Sequence, residues 1–328
     1  MSKQSLRLGT RGSMLALTQS RQVADELEKL HADLQVELII IKTTGDIITD
    51  KPLHEEGGKG LFTKEIEIAL LRSEVDFAVH SYKDVPVTMP LVSVPADFAG
   101  LVIAATPTRE DCRDVLAFGA FQSPEAASNK TTPMSLMEIP TGLRIGTGSL
   151  RRACQIRHHR PDLQILPIRG NIDTRLRKLH DKEFDAVVLA MAGLHRTRLF
   201  DENQMCLIEP DFMVPASCQG ALALQCRADD QRTKFLLNAV HDADTELCVN
   251  AEREIIAGFN GDCKSPIGAL ATLTGDEFHL RVFAGSTDGL SPALSHFQSG
   301  KKADSKVIIG MVLQWFIARN VQLLLHPH

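Results

Sequence analysis

Between Leu6 and Leu189 the chain switches repeatedly between the two periods of hydrophobic patterning, and it does so in two separate runs. In the first run Leu6–Thr10 reads as a short strand. Ser13–Leu30 follows as a helix with Leu17, Val23, Leu27 and Leu30 at near-helical spacing and Ser13 as N-cap. Val36–Lys42 is a β-branched run suited to a buried strand, Phe62–Arg72 a helix after the Gly-rich stretch Glu55–Gly60, and Asp76–His80 a further strand. The second run repeats the grammar: strand Leu143–Gly146, helix Ser149–His159, strand Gln164–Ile168, helix Ile172–His180, strand Asp185–Leu189. Strands alternating with helices of this length form βαβ units with parallel pairing, and ligands then gather at the strand C-terminal ends. Two such runs predict two similar α/β lobes.

After Pro215 the pattern changes. Ala221–Arg227 reads as a strand, Asp242–Ala257 as a helix, and Ile267–Thr274 with Glu277–Ala284 as a hairpin about Gly275-Asp276. A helix near Ala303–Ala318 closes a small α+β domain. The apolar stretch Val307–Ala318 is interrupted by Gln314 and falls short of the ~20 residues needed to span a bilayer. Gly119–Pro140, rich in Ala, Ser, Thr and Pro, reads as a surface insertion or long loop.

With 328 residues, 44% hydrophobic and 23% charged, the chain has an ordinary globular balance. The net charge of −5, one Trp and one Tyr argue against a general nucleic-acid binder. That total hides an asymmetry: Arg144–Arg198 carries ten Arg and two Lys against five acidic residues, a surplus of seven positive charges, which leaves −12 for the rest. Something acidic is expected to bind in the middle of the chain. The seven Cys are odd in number and contain no C-x-x-C pair, so reduced thiols in a cytoplasmic, soluble protein are expected, with no metal site. The polar start Met1–Gly9 has no signal-peptide core.

The nucleotide fingerprints fail. Neither Gly9-Thr-Arg-Gly12 nor Gly146-Thr-Gly148 completes G-x-G-x-x-G, and Gly57-Gly58-Lys59-Gly60 is not a P-loop. What recurs is a strand end, a small residue, and an Arg at a helix start: Thr10-Arg11-Gly12-Ser13, Thr147-Gly148-Ser149-Leu150-Arg151-Arg152, and Arg169-Gly170-Asn171 with Arg175. Each joins free backbone N–H groups at a helix N-terminus to a guanidinium, which suits carboxylate or phosphate. Any single Arg of this kind is more often a solvated or structural residue, but three such sites at strand C-terminal ends favour a polyanionic ligand. Asp84, beyond a strand end in His80-Ser-Tyr-Lys-Asp-Val-Pro86, is a candidate catalytic carboxylate beside Lys83, set against an ordinary turn Asp. Cys263, in the turn-rich loop Gly258–Pro266 beside Lys264, is a candidate reactive thiol, set against a plain surface Cys. His158 and His159 read as part of the basic helix.

Together these segments resemble the hydroxymethylbilane synthase (porphobilinogen deaminase) family. The resemblance runs through LRLGTRGSMLAL (Leu6–Leu17), GGKGLFTKEIEIALL (Gly57–Leu71), DFAVHSYKDVP (Asp76–Pro86) and REDCRD (Arg109–Asp114). It continues through IGTGSLRRACQ (Ile145–Gln155), IRGNIDTRL (Ile168–Leu176), DAVVLAMAGLHR (Asp185–Arg196), PASCQGALALQCR (Pro215–Arg227) and CKSPIGA (Cys263–Ala269). It implies an α/β fold with two periplasmic-binding-protein-like (type II) lobes, a cleft between them, and a third, small α+β C-terminal domain. The domain boundaries it implies are 1–105 with about 216–240 for the first lobe, 106–215 for an Arg-rich second lobe, and 241–328 for the α+β domain. It implies a transferase that joins four porphobilinogen units into hydroxymethylbilane, releasing ammonia, in heme biosynthesis. The chain would grow on a dipyrromethane cofactor held by a thioether to Cys263, and the protein would be a monomer with neither nucleic-acid nor membrane partners. The family's catalytic Asp corresponds to Asp84, assisted by Lys83. Positions for the acetate and propionate groups of cofactor and chain correspond to Arg11, Ser13, Lys83, Ser149, Arg151, Arg152, Arg169, Arg175 and Arg196; Lys59 and Gly170 correspond to further cofactor-binding positions, as does Gln219 in the family's hinge-side P-A-x-x-Q-G segment.

Three residues depart from the family's usual pattern: Glu55 for Lys, Gly148 for Ser, and Asp262 before Cys263 for Gly. They keep two other readings open, a catalytically impaired relative or two-lobed anion receptor, and a transferase using Cys263 as a transient nucleophile.

Overall fold

The computed structural model describes residues 4–44, 63–87, 100–119, 135–261, 265–286 and 293–325. By contact density the chain divides into two units, 1–110 with 220–247 and 111–219 with 248–328.

The first unit is built on β1 (Gln4–Thr10), α1 (Met14–Leu30), β2 (Leu34–Ile40), α2 (Lys64–Leu71), β3 (Phe77–Ser81), β4 (Leu101–Ala105), β10 (Leu222–Arg227) and α6 (Gln231–Leu237). The sheet order is β2-β1-β3-β10-β4. β1 pairs in parallel with β2 and β3, while β10 lies antiparallel between β3 and β4. Alternate faces of the strands are buried under different helices. Leu6, Leu8, Val36 and Phe77 pack with Val23, Leu27 and Leu237 on one side, and Ala78 and Leu101 pack with Ile66 and Leu70 on the other. Leu27 is fully enclosed, so truncating it to Ala would cost about 2–5 kcal/mol.

The second unit repeats the plan with β5 (Asp114–Phe118), β6 (Arg144–Gly146), α3 (Leu150–His159), β7 (Gln164–Leu166), α4 (Ile172–His180), β8 (Ala186–Ala190), α5 (Met191–Thr197) and β9 (Met205–Ile208). Its order, β7-β6-β8-β5-β9, has the same form, with β5 antiparallel between β8 and β9. These are two α/β lobes of the same plan. Even their ion pairs correspond. Arg7 forks onto Asp76 with its backbone N–H at 2.7 Å and Nη2 at 2.8 Å, and Arg144 forks onto Asp185 at the same two distances.

The parallel pairing expected from the alternating patterns holds for the first three strands of each sheet. It fails at β10 and β5, which enter from distant sequence and run the other way. The expected surface insertion is also partly corrected: Leu136 and Ile139 are buried against Ile156 and Leu163, and Arg160 donates to both of their carbonyls. The stretch 135–140 is held at Leu136 and Ile139, while 120–134 of the expected insertion lie outside the described residues.

Within the second unit a third core stands apart. β11 (Ile267–Thr274), β12 (Glu277–Ala284) and β13 (Leu294–Lys301) form an antiparallel sheet in that order. Gly275 turns the β11–β12 hairpin at positive φ, as the Gly-Asp signal requires. Phe278, Leu280, Val282 and Ala284, spaced two apart on β12, are buried with Ile255 of α7 (Ala243–Gly258) and with Phe259, which follows that helix. Ile308, Val312 and Phe316 of α8 (Ser305–Ile317) and Val321 of α9 (Val321–Leu325) complete that core. It is a small α+β C-terminal domain. No helix among the described residues is long and apolar enough to cross a membrane.

Candidate active site

In the first unit, parallel pairing of β1 with β3 brings Thr10–Ser13 and Ser81–Asp84 out at the same end of the sheet. Ser13 caps α1, its hydroxyl accepting from the Ala16 N–H at 3.3 Å. Ser20 donates to Thr10 Oγ1 at 2.7 Å, and Gln19 donates to Ser81 Oγ at 3.0 Å, so the helix start is laced to both strand ends. Residues 82–84 form one 3-10 turn directly after β3. That turn buries Tyr82, half-buries Lys83 and exposes Asp84. The Asp84 side chain has no ion pair or hydrogen bond among the described residues, so its carboxylate is available to a ligand. The expected neighbours Arg11 and Ser13 are half-exposed at the adjoining strand end.

Beneath this surface lies a buried polar chain that sequence reasoning did not find. His80 Nε2 bonds Gln225 Oε1 at 2.9 Å, and the Gln225 amide donates to Glu67 Oε1 at 3.3 Å. A Gln carbonyl oxygen only accepts, so Nε2 carries the proton. Burial pushes the His80 pKa down to about 4, against the bond to Gln225, which favours the charged form; the nearby Arg11 charge lowers it further.

In the second unit the ends of β6, β7 and β8 gather in the same manner. Thr147 is tied to β7 through Leu166 O at 3.0 Å, and Ser149 caps α3. A Cβ at Gly148 would sit 2.8 Å from the carbonyl oxygen of Ile168. The departure from Ser at this position is therefore a steric requirement of this chain's loop rather than a simple loss of a hydroxyl. Gly170 adopts φ +107°, open only to Gly, and its carbonyl accepts from Arg175 Nε at 2.8 Å.

Arg151 and Arg152, expected to present carboxylate-binding guanidiniums, are turned inward. They are 4% and 6% exposed, and both pair with Asp114, which is fully buried. Arg151 also donates to Val214 O at 2.6 Å, Arg152 to Val188 O at 2.7 Å, and Gln219 to Asp114 at 2.9 Å. Burial works against ionisation of Asp114, but the two guanidiniums and the bonds from Arg152 and Gln219 outweigh it and hold the carboxyl far below the usual range. Removing Asp114 from such a cluster would leave two buried guanidiniums uncompensated, at a cost of roughly 3–5 kcal/mol. Asp114 was missed because, in Arg109–Asp114, it is one acid among several charges. Its place opening the buried run Val115–Phe118 was the available signal.

Arg169, Arg175 and Arg196 remain half-exposed at this end. The Arg175 pKa falls to about 10, first through burial and then through the charges of Arg152 and Arg169. Mutually repelling guanidiniums beside a helix start form a surface that carboxylates would relieve, so the donor set fits a ligand bearing several of them. The buried Arg151 Nε, which has no hydrogen-bond partner, leaves one further donor in the same cluster. Cys263, Lys59, Glu55 and Asp262 lie outside the described residues. No group of three or more His, Cys, Asp or Glu able to hold a metal occurs among the described residues.

The family model described as porphobilinogen deaminase, dipyromethane cofactor binding domain, matches residues 6–235. The model for the porphobilinogen deaminase C-terminal domain matches residues 246–313. A porphobilinogen deaminase of Syntrophobacter fumaroxidans is 45% identical over 289 residues, covering 88% of this chain and 87% of that protein. One from Roseiflexus sp. is 45% identical over 287 residues, covering 88% of each. One from Trichlorobacter lovleyi is 44% identical over 305 residues, covering 93% of this chain and 90% of that protein.

Proposed function

The chain belongs to the porphobilinogen deaminase family, and we propose that it is a hydroxymethylbilane synthase, a transferase joining four porphobilinogen units head to tail with loss of ammonia. The carrying observation is the match to both family domains across most of the chain.

The site residues are assigned on that basis. Asp84 is the catalytic carboxylate: exposed at the end of β3, it can hold the aminomethyl ammonium of the substrate. As the C–N bond breaks, its electron pair leaves with ammonia, and a fixed carboxylate stabilises the positive charge left on the pyrrole. Asp84 can then take up the proton released when the new C–C bond forms. Lys83, Arg11 and Ser13 bind carboxylates in the first unit. Ser149, Arg169, Arg175 and Arg196 bind them in the second, with Arg151, Arg152 and Gln219 behind and Gly170 shaping the loop. Lys59 is assigned to the same role. A dipyrromethane held by Cys263 would supply the pyrrole terminus on which the chain grows. Three domains, near 1–105 with 216–240, 106–215 and 241–328, fit this division of labour. The separate α+β core supports the last of them. The odd Cys count supports a cytoplasmic setting, and the protein is read as a monomer.

Two measurements test this. The intact mass of protein expressed in cells that make porphobilinogen should exceed the sequence mass by one dipyrromethane, and the purified protein should release ammonia from porphobilinogen. A loaded protein that closes on substrate without releasing ammonia would establish the anion-receptor reading instead. An unmodified mass together with absent turnover would sink the proposal.

A further inference from the structure

Asp114 opens β5 opposite Ala190, the last residue of β8, and so lies at the end of the second sheet where the strand ends and the start of α3 gather. Its Oδ1 accepts from Arg152 Nη2 at 2.7 Å, from Arg152 Nε at 3.1 Å and from Gln219 Nε2 at 2.9 Å, while Oδ2 accepts from Arg151 Nη2 at 2.9 Å. The remaining Nη1 groups are pinned to the carbonyls of Val188 and Val214.

The stoichiometry separates this cluster from the other ion pairs of the unit. Arg144–Asp185, half-exposed, and Arg160–Asp162, with its guanidinium buried, each match one guanidinium to one carboxylate. Here one carboxylate serves two guanidiniums in the interior, so a net positive charge is kept under the strand ends. A purely structural site of this volume would be as well or better filled by apolar residues, because desolvating three charges is expensive. A retained interior charge earns its place through its field, which is strong at low dielectric. Arg152 acts on Arg175 through that field, as does Arg169.

We propose that Asp114 is a positioning residue for carboxylate binding: it fixes Arg152 and Arg151 at the start of α3 and sets the positive field that Arg169 and Arg175 present to cofactor and chain. The inference rests on the reading that Arg169 and Arg175 receive carboxylates, and the test separates the two.

The test compares Asp114→Asn, Asp114→Glu, Arg151→Met and Arg175→Gln. Each is measured for the fraction carrying the dipyrromethane mass, for thermal midpoint, and for KM and kcat on porphobilinogen in the loaded fraction. Losing one charge-assisted contact's worth of organisation should raise KM about tenfold in Asp114→Asn and lower the loaded fraction, with kcat changed less than about threefold. Asp114→Glu should recover part of both. Arg151→Met removes one interior charge yet leaves the Arg152–Asp114 pair; it should raise KM by about fivefold or more without lowering the thermal midpoint in proportion. That variant decides the matter if Asp114→Asn does not fold. Wild-type KM and loading in folded Asp114→Asn, or in Arg151→Met if Asp114→Asn is lost, would overturn the proposal whatever the thermal midpoint. Arg175 does not touch Asp114. If Arg175→Gln alone is impaired, the positioning role fails and the carboxylate reading stands. If Arg175→Gln also behaves as wild type, the carboxylate reading has failed and takes the positioning role with it.

Discussion

His80 gives the chain a pH dependence of defined sign and size. It is 6% exposed, Gln225 and Glu67 beside it are fully buried, and its folded pKa lies at about 4. In the unfolded chain the same imidazole titrates near 6.5. Because the folded value is depressed, the unfolded chain takes up the proton first. The neutral histidine's contribution is fully present above about pH 7.5 and is lost as pH falls through 6.5 toward 4. Two pKa values so separated imply a loss of about 1 kcal/mol between pH 8 and 5.5, and roughly 3 kcal/mol once pH drops well below 4. His159 and His296 are also depressed, chiefly by burial, and share part of this window. The quantity to measure is therefore a difference. Urea unfolding of the wild type and of His80→Gln at several pH values from 5.5 to 8 should give two stability curves that converge by about 1 kcal/mol toward the acid end. Parallel curves over that range would refute the reasoning, since they would mean that folding does not hold the imidazole neutral.

Other outcomes follow from single positions. Asp84→Asn should keep the cofactor mass and lose about 10²–10⁴-fold in kcat; normal turnover would remove Asp84 from its catalytic role. Cys263→Ser should yield protein with no added dipyrromethane mass, and a loaded Ser variant would place the attachment elsewhere. Gly148→Ser would restore the hydroxyl usual in the family, but its Cβ meets Ile168 O at 2.8 Å. Thermal unfolding should show a loss of about 1–3 kcal/mol, and an unchanged midpoint would mean that the loop yields freely.

Most secondary structure was legible because each α/β run announces itself locally. β1, α1, β2 and β3, and then β6, α3, β7, α4 and β8, follow periodicities readable over ten residues or so. Even the helix starts were visible, since Ser13 and Ser149 cap where a hydroxyl before an apolar run should cap. β5 and β10 were a different matter. Val115–Phe118 is short and falls between loops, and neither strand's orientation is written in its own residues. Each direction follows from pairing with a partner about seventy residues or more away, Leu116 with Val188 and Leu224 with Val79. Local patterning cannot carry that information.

The charge surplus of Arg144–Arg198 shows the same divide between what a sequence counts and what a fold assigns. Seven excess cations point to an acidic ligand, yet the count treats every Arg alike. Arg144 and Arg160 are spent on Asp185 and Asp162 as one-to-one structural forks. Arg151 and Arg152 are buried on Asp114, an acid outside the segment counted, and leave one charge between them. Arg169 and Arg175 stand at the strand ends, where their charges repel, and the lowered Arg175 pKa records it. The part of the surplus that can meet a ligand is therefore a small fraction of the total. It is effective because a buried charge stands behind it, where water screens it least.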